Sequence, residues 1–321
     1  MVHSRILVTG GAGFIGSAFV RQAVLRGLDV VVVDCLTYAG DLARIREVSK
    51  KIKFYKVDIA SDKQLEIIFK KEKINCLVHF AAETHVDRSL KDISPFIRTN
   101  VLGTQNLIDL AIKHRLKSFL HISTDEVYGQ GQKGLFKETD PLKPHNPYAV
   151  TKAAGELLVR TAIQLFQFPA IIIRSSNIYG PWQHPEKLIP VVISNAFEDK
   201  KIPVYGKGLQ IREWLHVDDC ISGIFQILKK GQEGEIYNLG SNFESRNIDS
   251  VKTILTLMGK KNSLIKFVPD RLGHDFRYSL NCLKISQLGF RPQISFKEGL
   301  VRTIDWYKDN NSWVKKKNFY Q

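Results

Sequence analysis

Short apolar runs alternate with helix-type patterns along the first 174 residues of the chain. R-I-L-V-T-G, D-V-V-V-V-D and C-L-V-H-F-A are three of the runs, and segments whose apolar residues recur with helical spacing lie between them. Continuous apolar runs of this kind are typical of parallel strands that helices cover on both faces. The pattern therefore predicts an α/β fold, a Rossmann-type doubly wound parallel sheet with right-handed crossovers.

The alternation ends after Arg174, where prolines and glycines become frequent. This part of the chain is typical of a smaller lobe over the carboxyl ends of the strands, where ligands bind in such folds. We predict a Rossmann domain at 1–174 plus about 210–240, and a smaller C-terminal ligand-binding lobe at 175–209 and 241–321.

The composition argues against several other classes of protein. Lysine and arginine number 47 against 32 acidic residues, which gives a net charge of +15, but the basic residues are spread out and form no zinc-finger, bZIP or RNP1-like pattern. No apolar run approaches the roughly 18 residues of a membrane span, and the N-terminus leads directly into a strand rather than a signal peptide. The four cysteines are far apart, which fits a reducing compartment. We expect a cytoplasmic protein that binds no nucleic acid, no membrane and no metal.

A glycine-rich turn, T-G-G-A-G-F-I-G, follows the first strand and places glycines at 10, 13 and 16. Such glycines allow a tight turn, the approach of a pyrophosphate to the backbone, and close packing of the helix on the strand. The N-terminus of the helix then offers free N–H groups to phosphates. Alone, the glycines could equally just close a strand-to-helix turn.

Acidic residues end the second and third strands. Asp34 lies 18 residues beyond Gly16, where a carboxylate would bind the adenosine ribose hydroxyls and repel a 2′-phosphate, so NAD is favoured over NADP. Asp58 and Ile59 end the third strand, where an adenine could lie. Asp34 and Asp58 could instead serve only as caps of the segments that follow them.

N-P-Y-A-V-T-K places Tyr148 and Lys152 four residues apart on one face of a helix. A phenol is a poor base at neutral pH, but a nearby lysine and the positive ring of NAD⁺ would both favour the phenolate. Tyr148 could then take a hydroxyl proton while a hydride leaves the same carbon. A tyrosine and a lysine at this spacing are common by chance, so the glycine-rich turn upstream is needed for this interpretation.

Two acidic residues, Asp125 and Glu126, stand side by side in S-T-D-E-V-Y-G after the apolar run S-F-L-H-I. A solvated turn would explain them, and so would a catalytic acid and base. Two carboxyl groups that repel each other in a partly desolvated site should titrate apart, one ionised and one protonated.

Together, these motifs resemble the extended short-chain dehydrogenase/reductase superfamily, and within it the NDP-sugar 4,6-dehydratases, from Arg5 to about Asn310. The resemblance lies in T-G-G-A-G-F-I-G, D-C-L-T-Y-A-G, H-F-A-A-E-T-H-V-D-R-S, S-T-D-E-V-Y-G, P-Y-A-V-T-K, P-E-K-L-I-P, Y-G-K-G-L-Q-I-R-E-W-L-H-V-D-D and P-D-R-L-G-H-D-F-R-Y. It implies conversion of an NDP-glucose, dTDP-glucose before UDP-glucose, into NDP-4-keto-6-deoxyglucose with bound NAD.

The resemblance also implies a role for each catalytic residue. Tyr148 with Lys152 would serve the oxidation at C4, and Thr124 would hydrogen-bond to the C4 hydroxyl. Because a ketone at C4 acidifies the C5 hydrogen, Glu126 would remove it as a base, and Asp125 would protonate the hydroxyl that leaves C6.

Two larger sets of binding residues follow from the resemblance. NAD would contact Gly10, Gly13, Phe14, Ile15, Gly16, Asp34, Cys35, Leu36, Thr37, Asp58, Ile59, Phe80, Ala81, Ala82, Thr84, Thr99, Tyr148, Lys152 and Asn177. The nucleotide sugar would contact Thr84, Thr124, Asn177, Lys187, Leu188, Pro203, Val204, Tyr205, Arg212, Asn247, Arg271 and His274. Asn100 would order the helix beside the site or act as a simple helix cap. Helices near 100–114 and 148–167 would form a homodimer face, although their apolar stripes could equally face the sheet.

Some alternatives remain open at this point. Ile178 and Leu272 depart from the family pattern and leave the preferred nucleotide in doubt. A UDP-sugar 4-epimerase and a UDP-glucuronate decarboxylase share the fold, but they usually carry a small or non-acidic residue where Asp125 stands. A non-catalytic NAD-sensing or nucleic-acid-binding Rossmann protein would need no acid and base.

Overall fold

A computed structural model describes residues 5–131, 134–270 and 272–318. The strands are β1 (Ile6–Thr9), β2 (Val30–Asp34), β3 (Ile52–Lys56), β4 (Cys76–His79), β5 (Ser118–Thr124), β6 (Ala170–Ser175), β7 (Asn177–Tyr179), β8 (Ile202–Tyr205), β9 (Ile211–His216), β10 (Ile236–Leu239), β11 (Glu244–Arg246) and β12 (Ile265–Val268). The α-helices are α1 (Phe14–Leu25), α2 (Asp62–Glu72), α3 (Val86–Lys91), α4 (Ser94–Phe96), α5 (Thr104–Lys113), α6 (Pro147–Phe166), α7 (Leu188–Phe197), α8 (Val217–Lys230), α9 (Asn247–Leu257), α10 (Leu283–Gln287), α11 (Phe296–Asp309) and α12 (Asn311–Asn318).

Within the described ranges, seven parallel strands form the main sheet in the order β10-β6-β5-β4-β1-β2-β3. The strands β1, β2 and β4 are buried along their whole length, as their apolar runs predicted. The predicted Rossmann-type α/β fold is confirmed. The chain runs outward in opposite directions from β1 and β4, so a crevice opens between the carboxyl ends of these two strands.

A smaller group of elements follows β6. The strand β7 comes directly after it and pairs with β9, which also pairs with β11, and a separate pair joins β8 to β12. Their side chains pack with α7, α9 and α11 in a core around Tyr179 and Trp214. In contrast, Leu280, Ile285 and Phe290 pack in the core of the main sheet. The predicted division into two lobes stays a prediction.

The C-terminal helix packs against a buried arginine near the N-terminal half of the chain. The guanidinium of Arg44 lies 5.2 Å from the ring centre of Trp313, and its Nη1 donates to the carbonyl of Ala12 at 3.0 Å. Trp313 Nε1 and Lys317 Nζ each lie 2.9 Å from Asp41 Oδ2. We call Asp41, Arg44, Trp313 and Lys317 the Arg44 cluster. Because Ala12 belongs to the glycine-rich turn, the Arg44 cluster ties α12 to that turn.

Two further observations concern the described part of the chain. Its four cysteines are free thiols, and Cys35 alone among them is exposed. No helix within the described ranges combines the length and the apolar character needed to cross a bilayer.

Candidate active site

The glycine-rich turn after β1 depends on glycine at two positions. Gly10 has φ +69°, and a Cβ there would lie 2.6 Å from the backbone nitrogen of Ala81. A Cβ at Gly16 would lie 2.2 Å from the carbonyl oxygen of Gly10. Gly13 is the N-cap of α1, and Phe14 and Ile15 form its first turn. The turn therefore presents bare backbone and the N-terminus of a helix, which fits the pyrophosphate of a dinucleotide.

Asp34 lies at the carboxyl end of β2, next to this turn. Its Oδ2 accepts from Ala12 N at 2.9 Å and its Oδ1 accepts from Leu36 N at 2.8 Å. Burial raises the pKa of its carboxyl group, while these hydrogen bonds oppose the rise. Each carboxylate oxygen can accept a second hydrogen bond, so Asp34 fits the ribose hydroxyls of NAD. Cys35, Leu36 and Thr37 continue from it as a loop.

Asp58 and Ile59 lie at the end of the neighbouring strand β3. The Oδ1 of Asp58 accepts from Ala60 N at 2.8 Å, and its Oδ2 forms an ion pair with Arg98 at 2.9 Å. The side chain of Ile59 is buried in the core, so any contact with a ligand would come from its backbone.

Asn100 connects the loop after β4 to α6 by hydrogen bonds. Its Oδ1 accepts from Glu83 N at 2.9 Å, and its Nδ2 donates to Thr151 Oγ1 at 3.0 Å. Asn100 lies in a π-helical segment at 97–103 that also includes Thr99, so it is not the N-cap of α5. Such segments are frequent at functional sites. Phe80, Ala81, Ala82 and Thr84 lie in the loop that Asn100 holds.

His79 is a buried core residue of β4. Its Nδ1 lies 2.8 Å from Thr9 Oγ1 and its Nε2 lies 3.1 Å from Thr104 Oγ1. Burial lowers its pKa to about 3. Among the described residues, no group of three or more histidine, cysteine, aspartate or glutamate side chains could hold a metal ion.

The acidic pair lies where β5 ends. Thr124 caps a short 3-10 helix at 125–128 by accepting from Glu126 N at 3.3 Å. Asp125 is 1% exposed, and its pKa is raised well above the usual value by burial and by the negative charges of Glu126 and Glu213. Its Oδ2 is buried and has no hydrogen-bond partner among the described residues. A carboxyl group with a raised pKa in such a place can keep a proton for donation.

Tyr148 and Lys152 lie in the first two turns of α6, and both are buried. Lys152 Nζ donates to the carbonyl of Ile122 in β5 at 2.7 Å, and burial lowers its pKa to about 8. The sequence predicted that Lys152 favours the phenolate of Tyr148. In the structure burial and the charge of Glu126 raise the pKa of Tyr148, and a hydrogen bond with Thr124 only partly opposes them.

Sequence reasoning missed a hydrogen-bonded group beside Glu126. Asn146, the N-cap of α6, donates to Glu126 Oε2 at 2.9 Å and to Asp275 Oδ2 at 3.3 Å. The hydroxyl of Tyr278 donates to the same carboxylate oxygen of Asp275. A residue before a proline at a helix start suggests only a cap, so no local signal pointed to these contacts.

The structure brings some predicted substrate residues to the loops of the main sheet. Lys187 Nζ donates to the carbonyl of Thr84 at 3.0 Å. Tyr205 OH lies 3.3 Å from Asp87 Oδ2, and its ring centre lies 6.0 Å from that of His274. Leu188 follows Lys187 as the first residue of α7.

Other predicted substrate residues lie deeper in the smaller group of elements. The buried guanidinium of Arg212 donates to the carbonyls of Ile211 and Asp275 at 2.7 and 2.9 Å. Asn177 and Asn247 each have a buried Oδ1 without a partner among the described residues.

The remaining predicted substrate residues are Pro203 and Val204, which belong to β8, and Arg271. In β8, Pro203 and Tyr205 are exposed, whereas the side chain of Val204 faces the core and can offer a ligand only its backbone. Arg271 lies outside the described residues.

Comparison with known proteins identifies the family of this chain. Residues 6–240 match the NAD dependent epimerase/dehydratase family. The chain belongs to this family. The family is NAD-dependent, which agrees with the cofactor predicted from the glycine-rich turn and Asp34. The resemblance to NDP-sugar 4,6-dehydratases is confirmed by the relatives that follow.

The relatives include dehydratases and epimerases. A dTDP-glucose 4,6-dehydratase of Streptomyces niveus is 44% identical over 319 residues, covering 96% of this chain and 94% of that protein. The crystal structure of DesIV, a dTDP-glucose 4,6-dehydratase from Streptomyces venezuelae with NAD and TYD bound, has a TM-score of 0.95 at 42% identity and covers 98% of this chain and 99% of that one. A UDP-glucose 4-epimerase of Thermus thermophilus with NAD has a TM-score of 0.90 at 28% identity, covering 95% and 99%. The fold is therefore common to both activities, and the residues of the site must distinguish them.

Proposed function

We propose that this protein is a dTDP-glucose 4,6-dehydratase, which converts dTDP-glucose into dTDP-4-keto-6-deoxyglucose and water. The observation that carries the proposal is the buried carboxyl group of Asp125, whose raised pKa sets it apart as an acid next to the carboxylate of Glu126. The dehydratases among the relatives, at 42–44% identity over nearly the whole chain, support it further.

The residues of the glycine-rich turn, with Asp34, would hold NAD in the crevice between β1 and β4. When bound, NAD⁺ supplies the hydride acceptor for C4 and the hydride that is later delivered to C6. Tyr148 takes the proton of the C4 hydroxyl, and Thr124 holds that hydroxyl by a hydrogen bond. Because the pKa of Tyr148 is raised, the positive charges of Lys152 and of bound NAD⁺ would have to offset the effect of burial for this step to proceed.

The two carboxyl groups then share the loss of water. Glu126 takes the hydrogen of C5 as a proton, which the ketone at C4 has acidified, and the electron pair of that bond forms a C5–C6 double bond. Asp125 gives its proton to the hydroxyl that leaves C6, so water departs with the C6–O bond pair. Hydride at C6 and a proton at C5 complete the product; Glu126 would deliver the proton at C5 after exchanging it with solvent.

Donors around the smaller group of elements would bind the nucleotide. Lys187 and Arg212 would supply positive charge to a diphosphate. The buried oxygens of Asn177 and Asn247, which have no partner within the described ranges, would accept hydrogen bonds from the ligand. The exposed face of Tyr205 would flank the base. Each of these assignments is part of the proposal.

A homodimer is proposed from apolar residues on the outer face of α6 and the segment before α5. Leu102, Val150, Leu157 and Leu165 are large, apolar and exposed, and on α6 they recur at helical spacing. Sedimentation velocity of the purified protein would test it, and a single monomeric species at micromolar concentration would count against the proposal. The cytoplasm is the proposed location, on the basis of the free cysteines.

The function is tested by incubating the purified protein with dTDP-glucose or UDP-glucose in D₂O without added NAD. We expect a 4-keto-6-deoxy product with deuterium at C5, formed from dTDP-glucose in preference to UDP-glucose. A 4-epimer, or CO₂ released from a UDP-glucuronate control, would assign the protein to another activity of the same fold.

A further inference from the structure

Both polar atoms of the Asn146 side chain form hydrogen bonds at the N-terminus of α6, and the residue is only 2% exposed. Its Oδ1 accepts from the backbone nitrogen of Ala149 at 2.9 Å. Its Nδ2 donates to Glu126 Oε2 at 2.9 Å and to Asp275 Oδ2 at 3.3 Å. An amide nitrogen has two hydrogens, so both donations can occur at once.

The orientation of this amide is dictated by its neighbours. If oxygen and nitrogen were exchanged, the oxygen would face two carboxylates and the nitrogen would face the N–H of Ala149. Both contacts would be repulsive, so only one orientation is compatible with the site. The donor is therefore fixed toward Glu126.

Asp275 extends the contact to the nucleotide-binding residues. Its side chain is buried and also accepts from the hydroxyl of Tyr278, while its backbone carbonyl accepts from Arg212 Nη2 at 2.9 Å. The guanidinium of Arg212 lies 4.8 Å from the ring centre of Tyr278. Hydrogen bonds thus connect Glu126 to Asn146, and Asn146 to the side chain of Asp275, whose backbone carbonyl is bonded to Arg212.

We propose that Asn146 is a positioning residue for Glu126, and that Asp275 links this positioning to the nucleotide-binding segment. The donated hydrogen bond holds Oε2 and leaves Oε1 for the proton of C5. The inference rests on the proposed function, because it takes Glu126 as the base at C5. A serine at this position could cap α6, but its shorter side chain could not reach the carboxylates of Glu126 and Asp275. The longer amide of Asn146 makes both contacts.

The substitution Asn146→Ser separates positioning from capping, because serine is a good N-cap and retains the bond to Ala149. In a single turnover of dTDP-glucose, we expect the rise of NADH absorbance that reports C4 oxidation to stay within about twofold of the unsubstituted protein. Deuterium incorporation at C5 and kcat should both fall about 10–100-fold, as expected for a displaced catalytic group. KM should change by less than about twofold.

A matched control is Ser295→Ala, which removes the N-cap of α11, where Ser295 Oγ accepts from Glu298 N at 3.3 Å. It should lower thermal stability without separating the two rates. Asp275→Asn should slow C5 exchange and also raise KM, since the side chain of Asp275 contacts Asn146 and the hydroxyl of Tyr278, whose ring lies 4.8 Å from the guanidinium of Arg212.

Three outcomes would overturn the inference. If Asn146→Ser slows C4 oxidation and C5 exchange by the same factor, Asn146 only supports the helix that carries Tyr148. If C5 exchange is unchanged, Glu126 is held by other groups. If Asp275→Asn leaves C5 exchange unchanged, the link to the nucleotide-binding segment is absent. A lack of C5 exchange in the unsubstituted protein would instead overturn the proposed function, and this inference with it.

Discussion

Thr124 Oγ1 donates a hydrogen bond of 3.1 Å to Oδ1 of the neighbouring Asp125. The other oxygen, Oδ2, is buried and has no partner among the described residues. A neutral carboxyl group tolerates this environment far better than a carboxylate does. Asp125 is thus held in the state that an acid needs before it acts.

The first prediction concerns Asp125→Asn. Water loss should slow by about 100-fold or more while C4 oxidation continues, because an amide cannot donate a proton to the leaving hydroxyl. Accumulation of NADH absorbance without the 4-keto-6-deoxy product would show this. Loss of C4 oxidation as well would mean that Asp125 has a different role.

The same substitution predicts a pH-dependent gain in stability. The pKa of Asp125 is raised in the folded chain, so its contribution to stability is complete below about pH 4, the unfolded pKa, and is lost as the pH rises through the folded pKa. An asparagine does not titrate. The free energy of unfolding of the Asp125→Asn variant should therefore exceed that of the unsubstituted protein by about 1–2 kcal/mol at neutral pH and by little at pH 4. Urea unfolding at several pH values measures the difference, and a difference independent of pH would contradict the raised pKa.

A third prediction concerns Lys152→Met. C4 oxidation should slow by about 100-fold or more, because Tyr148 loses its cation while the methionine fills the same space. Binding of dTDP-glucose, measured by calorimetry, should change little. Equal losses in binding and oxidation would indicate a general collapse of the site.

The lowered pKa of Lys152 also leads to a prediction about the stability of the protein at alkaline pH. Its pKa falls from 10.5 to about 8 in the folded chain, so the cost of burying its charge is greatest below pH 8 and disappears as the pH rises toward 10.5. Lys152→Met should therefore be more stable than the unsubstituted protein by about 1–3 kcal/mol at pH 7, after the loss of one hydrogen bond, and this gain should shrink above pH 8. A gain that stays constant from pH 7 to pH 10 would speak against the lowered pKa.

A further prediction concerns Gly16→Ala. The added Cβ would lie 2.2 Å from the carbonyl oxygen of Gly10, so the turn must shift at a cost of about 1–3 kcal/mol, and NAD should be lost during purification. NAD released by denaturation, counted per chain by chromatography, is the measurement. Gly27→Ala is a control, because its φ of +75° imposes strain while nothing lies within 4 Å of the added atom. That control should lose stability but keep NAD, and full NAD content in Gly16→Ala would contradict the assigned turn.

The last prediction concerns Trp313→Ala in the Arg44 cluster. Without the indole, Arg44 loses its aromatic contact and Asp41 loses a donor, so the carbonyl of Ala12 is held less firmly. We expect NAD to dissociate about tenfold faster and the protein to unfold at a lower temperature. Lys316→Ala, an exposed change on the same helix, should alter neither. Unchanged NAD release in Trp313→Ala would show that the Arg44 cluster acts on stability alone.

Local patterns predicted much of the fold. The apolar runs that became β1, β2 and β4 and the glycine-rich turn depend on residues close in sequence, and so does the helix that begins at Pro147. The family resemblance then supplied the acid and base assignments. These parts could be predicted because backbone periodicity and turn chemistry are local properties.

Other features depend on packing between distant segments. Asn146 and Asp275 are 129 positions apart, and no pattern in either segment indicates that they meet. The pKa of Tyr148 was predicted from the positive charges of Lys152 and NAD⁺, whereas burial has the largest effect on it in the structure. Val204 and Ile59 were predicted as contacts, but the strand register and the core decide where their side chains point.

The Arg44 cluster joins parts of the chain that are made at very different times. Trp313 is synthesised 272 positions after Asp41, to which it donates a hydrogen bond. A growing chain can therefore form the glycine-rich turn long before the helix that steadies it leaves the ribosome. Firm retention of NAD should therefore begin only when synthesis has passed α12, because only then can Trp313 contact Arg44 and Asp41.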